Sequence, residues 1–400
     1  MTNKPKNLST QRGSLKNIIS LGLVSFFTDV SSEMCFSFLP NFIRNVLGGT
    51  RGVVGLIEGI AEATSYVLRT FSGVLSDKIG KRKILVFTGY VISNLAKPLF
   101  SVSRNWVDAL LVRFIDRVGK GVRTSPRDAL LSESIKMAEM GKAFGIHRTL
   151  DQLGAVIGPA MALVFIPLIG MRNVFLLSII PGLIALIVLY AFVEERVAVK
   201  KERSQSIGID FKKVLTKDFK ILLLIVSVFS IGAFNYSFIL LRAEELGVAI
   251  FLAPGVYIII QLSHALMGMP AGMLSDRIGK EFTLVIGYLL LSVTSLLLMS
   301  GGFTAFYVLL LAVMFGLYQG ITETVQRAMI PGYVPPELKG TAYGVYYLVV
   351  GSCFFISNSL IGFLWDSFGI RIAFAFSLLT SVLGAIGMTF LALRRRSTPL

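Results

Sequence analysis

The sequence predicts an all-α integral membrane protein, with twelve transmembrane helices arranged as two pseudo-symmetric six-helix bundles. Three observations carry this expectation. Of 400 residues, 54% are apolar and only 16% are charged, where soluble domains carry about a quarter charged residues. Apolar runs long enough to cross a bilayer recur along the whole chain, and the mean hydropathy is +0.74. A motif in the first half returns in the second at a constant offset of 199 residues.

A crossing helix needs about 20 apolar residues. Lipid offers no partner for bare backbone groups, so every such run is read as helix. In order, the runs are 17–43, 51–75, 83–103, 106–122, 143–167, 172–193, 219–241, 250–274, 282–301, 304–326, 340–364 and 371–393. The first 16 residues are polar and carry Lys4, Lys6, Arg12 and Lys16. No small-residue cleavage site follows the first apolar run, so that run is expected to remain as span one. Cys35 and Cys353 both lie in apolar runs, which excludes a disulfide framework and metal-type cysteine spacing. The one long polar interruption, 194–218, divides the chain. The expected organisation is an N-terminal six-helix bundle at 1–193, a cytoplasmic linker at 194–218 and a C-terminal six-helix bundle at 219–400.

Twelve spans place both termini on one side. That side collects 28 of the 39 Lys and Arg, against 6 on the other: Arg44, Arg51, Arg104, Arg172, Arg242 and Arg371. The positive-inside rule then puts both termini in the cytoplasm and the chain in the cytoplasmic (inner) membrane. The net charge of +16 is accounted for by topology. The lipid bilayer is the expected partner, and nucleic acid is not, although a basic patch alone can bind it without sequence preference.

GVLSDKIGKRK at 73–83 recurs as GMLSDRIGKEF at 272–282, and GKAFGIH at 141–147 as GTAYGVY at 340–346. Both matches have the 199-residue offset, which indicates a duplicated six-helix unit, a plan that transporters often use. Gly73 and Gly80 permit close helix approach and a tight turn, and Asp77 is placed to cap or pair across the loop. This loop, in both copies, resembles the signature loop of the major facilitator superfamily. The resemblance covers nearly the whole chain. It implies a cytoplasmic latch of Gly73, Asp77, Lys78, Gly80, Lys81 and Arg82. Its weaker copy is Gly272, Asp276, Arg277, Gly279 and Lys280, which departs from the pattern at Glu281. GAVIGP at 154–159 resembles the antiporter-type motif of the superfamily. Its Gly154 and Gly158, followed by Pro159, are small residues four apart that let helices pack closely. RFIDRVGKGVRTSPRDAL at 113–130, with FTDVSSEM in span one and GLIEGIAEA in span two, is similar to a largely uncharacterised bacterial and archaeal subgroup. Membership implies a monomer.

Charges inside the spans point to the working site. Asp29 and Glu33 are four apart and share a helix face, as do Glu58 and Glu62, with Arg69 seven further on. Arg113, Asp116, Arg117 and Lys120 keep the same rhythm in span four, and His147 and Arg148 precede Asp151 in span five. Lys97 lies in span three. Asp29 and Glu62 fall near the middle of their spans, and Glu33 and Glu58 about 6 Å further outward. A charge at the bilayer centre costs about 2.5–3.5 kcal/mol on the insertion scale. These residues are therefore expected to face one another or a wet cleft. Asp29 or Glu33 is the expected proton-coupling group, with Glu58 and Glu62 as partners or cation ligands. Arg148 and Asp151 are relay or gate candidates. For Arg113, Asp116 and Arg117 the competing reading is ion pairs that only hold the bundle.

The second half is poorer in charge. It offers His264, Glu323, Asn235, Gln261, Gln319, Asn358 and a run of Tyr343, Tyr346 and Tyr347, either packing or an aromatic wall for a flat or cationic molecule. No nucleotide-binding, dinucleotide or metalloprotease motif is present. An enzyme, a resident metal and a cofactor are not expected. The expected function is secondary active transport by alternating access: proton-coupled export, as an antiporter, of a small amphipathic or cationic molecule. The alternatives are uptake or release of a metal complex or siderophore, and, in another class, a membrane sensor or scaffold on a transporter frame.

Overall fold

The structure is a computed structural model that describes residues 6–133, 140–195, 214–301, 305–335 and 338–397. Side chains are described for these residues apart from 6–15, 74, 77, 78, 133, 140–144, 305, 340, 396 and 397. Among the described residues every regular element is a helix. In chain order they are α1 (Lys6–Phe36), α2 (Leu39–Asn45), α3 (Arg51–Ile79), α4 (Arg82–Ala96), α5 (Trp106–Glu133), α6 (Met140–Ile169), α7 (Met171–Leu177) and α8 (Ile179–Phe192). Then follow α9 (Lys217–Ser230), α10 (Ser237–Glu245), α11 (Ala253–Ile278), α12 (Lys280–Met299), α13 (Ala305–Met329), α14 (Lys339–Phe368) and α15 (Ile370–Ser397). Each of the twelve predicted spans coincides with one of these helices or with a broken pair. Nine described stretches are long and apolar enough to cross a membrane. The remaining three are α3 and α5, whose charges lower their hydropathy, and the short pair α9 and α10. Of the predicted linker, 196–213 lies outside the described residues.

Five spans that read as single runs are broken or change helix type, among them span eight, which opens as a 3₁₀ turn at Ile250–Leu252. Span one stops at Phe36 and resumes at Leu39, where Pro40 opens α2. Span three tightens into a 3₁₀ helix, Lys97–Val102, with Pro98 in its first turn. Proline lacks the N–H that would continue an α-helical ladder, so helix starts fall there. Span six breaks at Ser178, whose hydroxyl donates to Phe175 O at 2.7 Å. Span seven is interrupted between Ser230 and Ser237. There the backbone turns to side chains of α14: Ser357 Oγ donates to Ala233 O at 2.5 Å, and Asn235 N donates to Asn358 Oδ1 at 2.8 Å. Freed backbone groups at membrane depth need such substitutes.

The chain divides into two compact units, Met1–Ser37 with Thr64–Gln205, and Phe38–Ala63 with Ser206–Leu400. In the first unit α1 lies along α6 at backbone contact. A Cβ on Gly158 would fall 2.6 Å from Val30 O, and one on Gly154 would fall 2.5 Å from Phe26 O. Pro159 continues α6 as an internal proline. Ile18, Leu21, Val24, Val86, Tyr90 and Leu189 close the apolar core between α1, α4 and α8.

Candidate functional site

The close approach of α1 and α6 brings two acids together. Asp29 on α1 and Asp151 on α6 lie side by side at this contact, close enough for each carboxyl group to act on the other, and a Cβ on Gly154 would fall 3.0 Å from Asp29 Cβ. Two carboxylates so close repel each other, and a proton on one would let it donate to the other. Asp151 also accepts from Ser25 Oγ at 2.6 Å and pairs with Arg148 Nη1 at 3.0 Å. Arg127 on α5 reaches Ser25 Oγ at 3.4 Å and pairs with Asp128. Glu33 and Lys120 both lie within electrostatic range of Asp29. His147 is buried one helical turn before Asp151.

A second group fills the core between α1, α4 and α5. Lys97 is fully buried. Its Nζ donates to Asn94 Oδ1 at 2.7 Å, to Ser32 Oγ at 2.8 Å and to Thr28 O at 3.5 Å. Asp116, also buried, accepts from Ser93 Oγ at 2.6 Å. Arg113 and Arg117 each stand 3.9 Å from Asp116. The Arg113 guanidinium lies over the Phe36 ring at 3.7 Å, and that of Arg117 at 5.5 Å. Arg69 is placed elsewhere on α3, over the Tyr66 ring at 5.4 Å.

Glu58 and Glu62 belong to the second compact unit, so the four carboxylates predicted to meet do not share one unit. Glu58 is buried. In that unit an ionic network absent from the sequence reading joins α2 and the start of α3 to α10 and α14. Arg51 pairs with Glu245 and, at 3.4 Å, with Asp366. Glu245 also pairs with Arg44 at 3.7 Å and Arg242 at 3.1 Å. Asp366 caps α3 by accepting from Gly52 N at 2.6 Å. Glu244 accepts from Asn41 and Asn45. The backbones touch here: a Cβ on Gly362 would lie 2.5 Å from Arg51 O. In the sequence these arginines stand only as loop charges. The Arg242–Glu245 helical spacing was the one available signal. Elsewhere in the unit Glu323 stands 3.8 Å from His264 and 3.6 Å from Arg327. Tyr343 and Tyr347 stack at 6.1 Å.

The two signature loops carry opposite charges at one equivalent place. In the first, Gly80 has φ +68°, and Glu195 accepts from the backbone N–H of Arg82 at 2.8 Å and of Lys83 at 2.7 Å. In the second, Gly279 has φ +98°, and Glu281 accepts from Arg395 at 3.0 Å and from Tyr333 Oη at 2.7 Å. Lys280 Nζ donates to Ala328 O at 2.8 Å. The side chains of Asp77 and Lys78 lie outside the described residues. Gly73 packs a turn before the loop, where a Cβ would meet Ser125 Cβ at 3.4 Å, whereas around Gly272 there is open space. Lys81 and Asp276 are exposed. Among the described residues no group of three or more His, Cys, Asp or Glu converges to hold a metal ion.

A family model described as Major Facilitator Superfamily matches residues 21–358 and, in a second match, 221–400. An uncharacterised MFS-type transporter of Methanocaldococcus jannaschii is 35% identical over 376 residues, covering 91% of this chain and 92% of the relative. The cis,cis-muconate transport protein of Acinetobacter baylyi is 23% identical over 372 residues, covering 88% of each chain. Among solved structures, that of a mutant form of the nucleoside transporter NupG superposes with a TM-score of 0.80 at 13% identity, covering 94% of this chain and 99% of that one.

Proposed function

The chain belongs to the Major Facilitator Superfamily and is a multi-pass membrane transporter, and from that premise we propose that it is a proton-coupled secondary transporter working by alternating access. The observation that carries the reading is the Asp29–Asp151 carboxyl pair. Two acids on different helices lie close enough to share one proton, with the guanidiniums of Arg148 and Arg127 and the hydroxyl of Ser25 beside them. Releasing that proton leaves two negative charges for those cations to answer, so proton occupancy is tied to how α1, α5 and α6 pack. Glu33 is the neighbouring acid on α1, and His147 lies beside the relay. The cargo reading is a small amphipathic or cationic molecule, exported in exchange for protons. Both termini are read as cytoplasmic, with the chain acting as a monomer in the cytoplasmic membrane. The six-helix halves 1–193 and 219–400 are read as the moving bodies, joined by 194–218. The Arg51–Glu245–Asp366 network then faces the external side and has to part when that side opens.

A second cargo reading, a small organic acid, is favoured by the excess of cations around Asp116 and by the muconate relative. Its recognition would use Arg113, Arg117 and Lys97.

Inside-out vesicles energised to an acid lumen test both readings. Aromatic cations and dicarboxylates are added in turn while a pH dye reports proton release from the lumen. The expected result is cargo-dependent proton release that Asp29→Asn reduces to the rate of protein-free vesicles. The asparagine amide can donate to Asp151, so helix packing is kept while the protonatable group is lost. Equal proton release with Asp29→Asn sinks the coupling assignment.

A further inference from the structure

At one face of the second unit, three helix ends meet: the last turn of α11, the first turn of α12 and the last turns of α15. Between them lies a cavity of about 350 Å³. Arg277, Gly279, Glu281 and Arg395 form its polar side, and Phe282 and Ala392 its apolar side. Nothing in the transport reading uses this cavity as a binding site.

The charges are unequal. Arg395 is committed to neighbours: Nη1 donates to Glu281 Oε1 at 3.0 Å, Nη2 donates to Gly332 O at 2.9 Å, and the guanidinium lies 4.1 Å from the Tyr333 ring. Glu281, which opposes an incoming anion, is therefore answered by Arg395 and by the Tyr333 hydroxyl at 2.7 Å. Arg277 is exposed and forms no ion pair among the described residues. It is the uncompensated charge of the cavity. The positive end of α12, a 20-residue helix whose N-cap Gly279 makes no side-chain capping bond, adds to the same field.

The internal repeat supplies an independent comparison. In the first half the equivalent helix start, that of α4, holds an anion from the chain itself, the Glu195 carboxylate on two backbone amides. The position 199 residues beyond Glu195 is Arg394, followed by Arg395. The second half thus puts cations where the first half puts the acid. A guanidinium is the preferred donor to phosphate oxygens, and basic pockets between helix ends at a membrane surface hold anionic headgroups.

We propose that this cavity binds a phosphate group, supplied by the headgroup of an anionic phospholipid, with Arg277 as its principal ligand and the Phe282–Ala392 wall beside the glycerol. The inference requires only that the chain sits in a membrane, so it stands or falls apart from proton coupling and cargo.

Native mass spectrometry of the full chain tests it, with phosphatidylglycerol, phosphatidylcholine or inorganic phosphate as the added probe. The expected result is retention of phosphatidylglycerol under activation that strips phosphatidylcholine. Arg277→Ala weakens that retention about tenfold, the loss of one charge-assisted contact, and Arg277→Lys restores part of it. Arg277 is exposed, so its variants keep the fold, and a melting curve checks this. Arg277-dependent uptake of inorganic phosphate without lipid retention upholds the phosphate site and moves its source from lipid to solution. Equal retention of phosphatidylglycerol by Arg277→Ala, with no phosphate uptake, overturns the proposal.

Discussion

Lys97 carries a charge at 0% exposure, in a region where an unpaired ion costs several kcal/mol. The cost is met by acceptors from two elements. Asn94 lies one turn back on α4, and Ser32 and the Thr28 carbonyl lie on α1. Asn94 is itself fixed by donating to Gly182 O at 3.3 Å, so the ammonium ties α1 and α4 to α8. Such a satisfied lysine acts first as a structural bolt. Lys97→Met should lower stability by about 1–3 kcal/mol, because it strands the neutral polar groups that the ammonium answered. Thermal unfolding of the detergent-purified variant measures this. An unchanged melting temperature alongside lost transport would instead assign Lys97 to the cargo. The sequence placed Lys97 in span three but not among these acceptors, since Ser32 and Thr28 come from a helix nearly seventy residues away.

At the scale of elements, the α1–α6 contact decides whether Asp29 can reach Asp151 at all. A side chain on Gly158 meets Val30 O at 2.6 Å and Met34 N at 2.8 Å, both backbone atoms of a rigid helix. Gly158→Ala should therefore destabilise by about 1–3 kcal/mol through overpacking. Gly145→Ala on the same helix meets nothing within 4 Å and should be neutral or stabilising by up to about 1 kcal/mol. Comparing the two melting temperatures separates a packing effect from simple helix propensity. This contact was legible in GAVIGP, because small residues four apart have one common use in a membrane helix. The breaks in spans one and three had a signal in Pro40 and Pro98, but that in span seven had no such proline. Hydropathy is blind to whether an apolar run keeps its ladder, and the groups that replace it at span seven, Ser357 and Asn358, come from α14. Helix spacing grouped Asp29 with Glu33 and Glu58 with Glu62 along the chain. The partner that Asp29 has, Asp151, is set by tertiary packing that no local period encodes.

For the whole molecule, the repeat explains why two halves of one plan hold their signature loops differently. The first half sets Glu195 against the start of α4, which begins with Arg82 and Lys83. The second sets Arg395, near the end of α15, against Glu281 at the start of α12. The tie between the last helix of a half and its third span is kept, and its sign is exchanged. If the tie is what duplication preserved, either polarity should serve. Glu281→Arg alone opposes two guanidiniums and should destabilise, as should Arg395→Glu alone. The double exchange should recover part of the loss, with a coupling of about 0.5–3 kcal/mol for residues in direct contact. A double-mutant cycle of thermal unfolding reads it. The recovery should be incomplete, because a glutamate at 395 cannot donate to Gly332 O as Arg395 does, and Tyr333 loses the carboxylate that its hydroxyl meets. A coupling of zero would mean that the bond at 3.0 Å contributes nothing to holding the loop, and that Tyr333 and the Gly279 turn hold it alone.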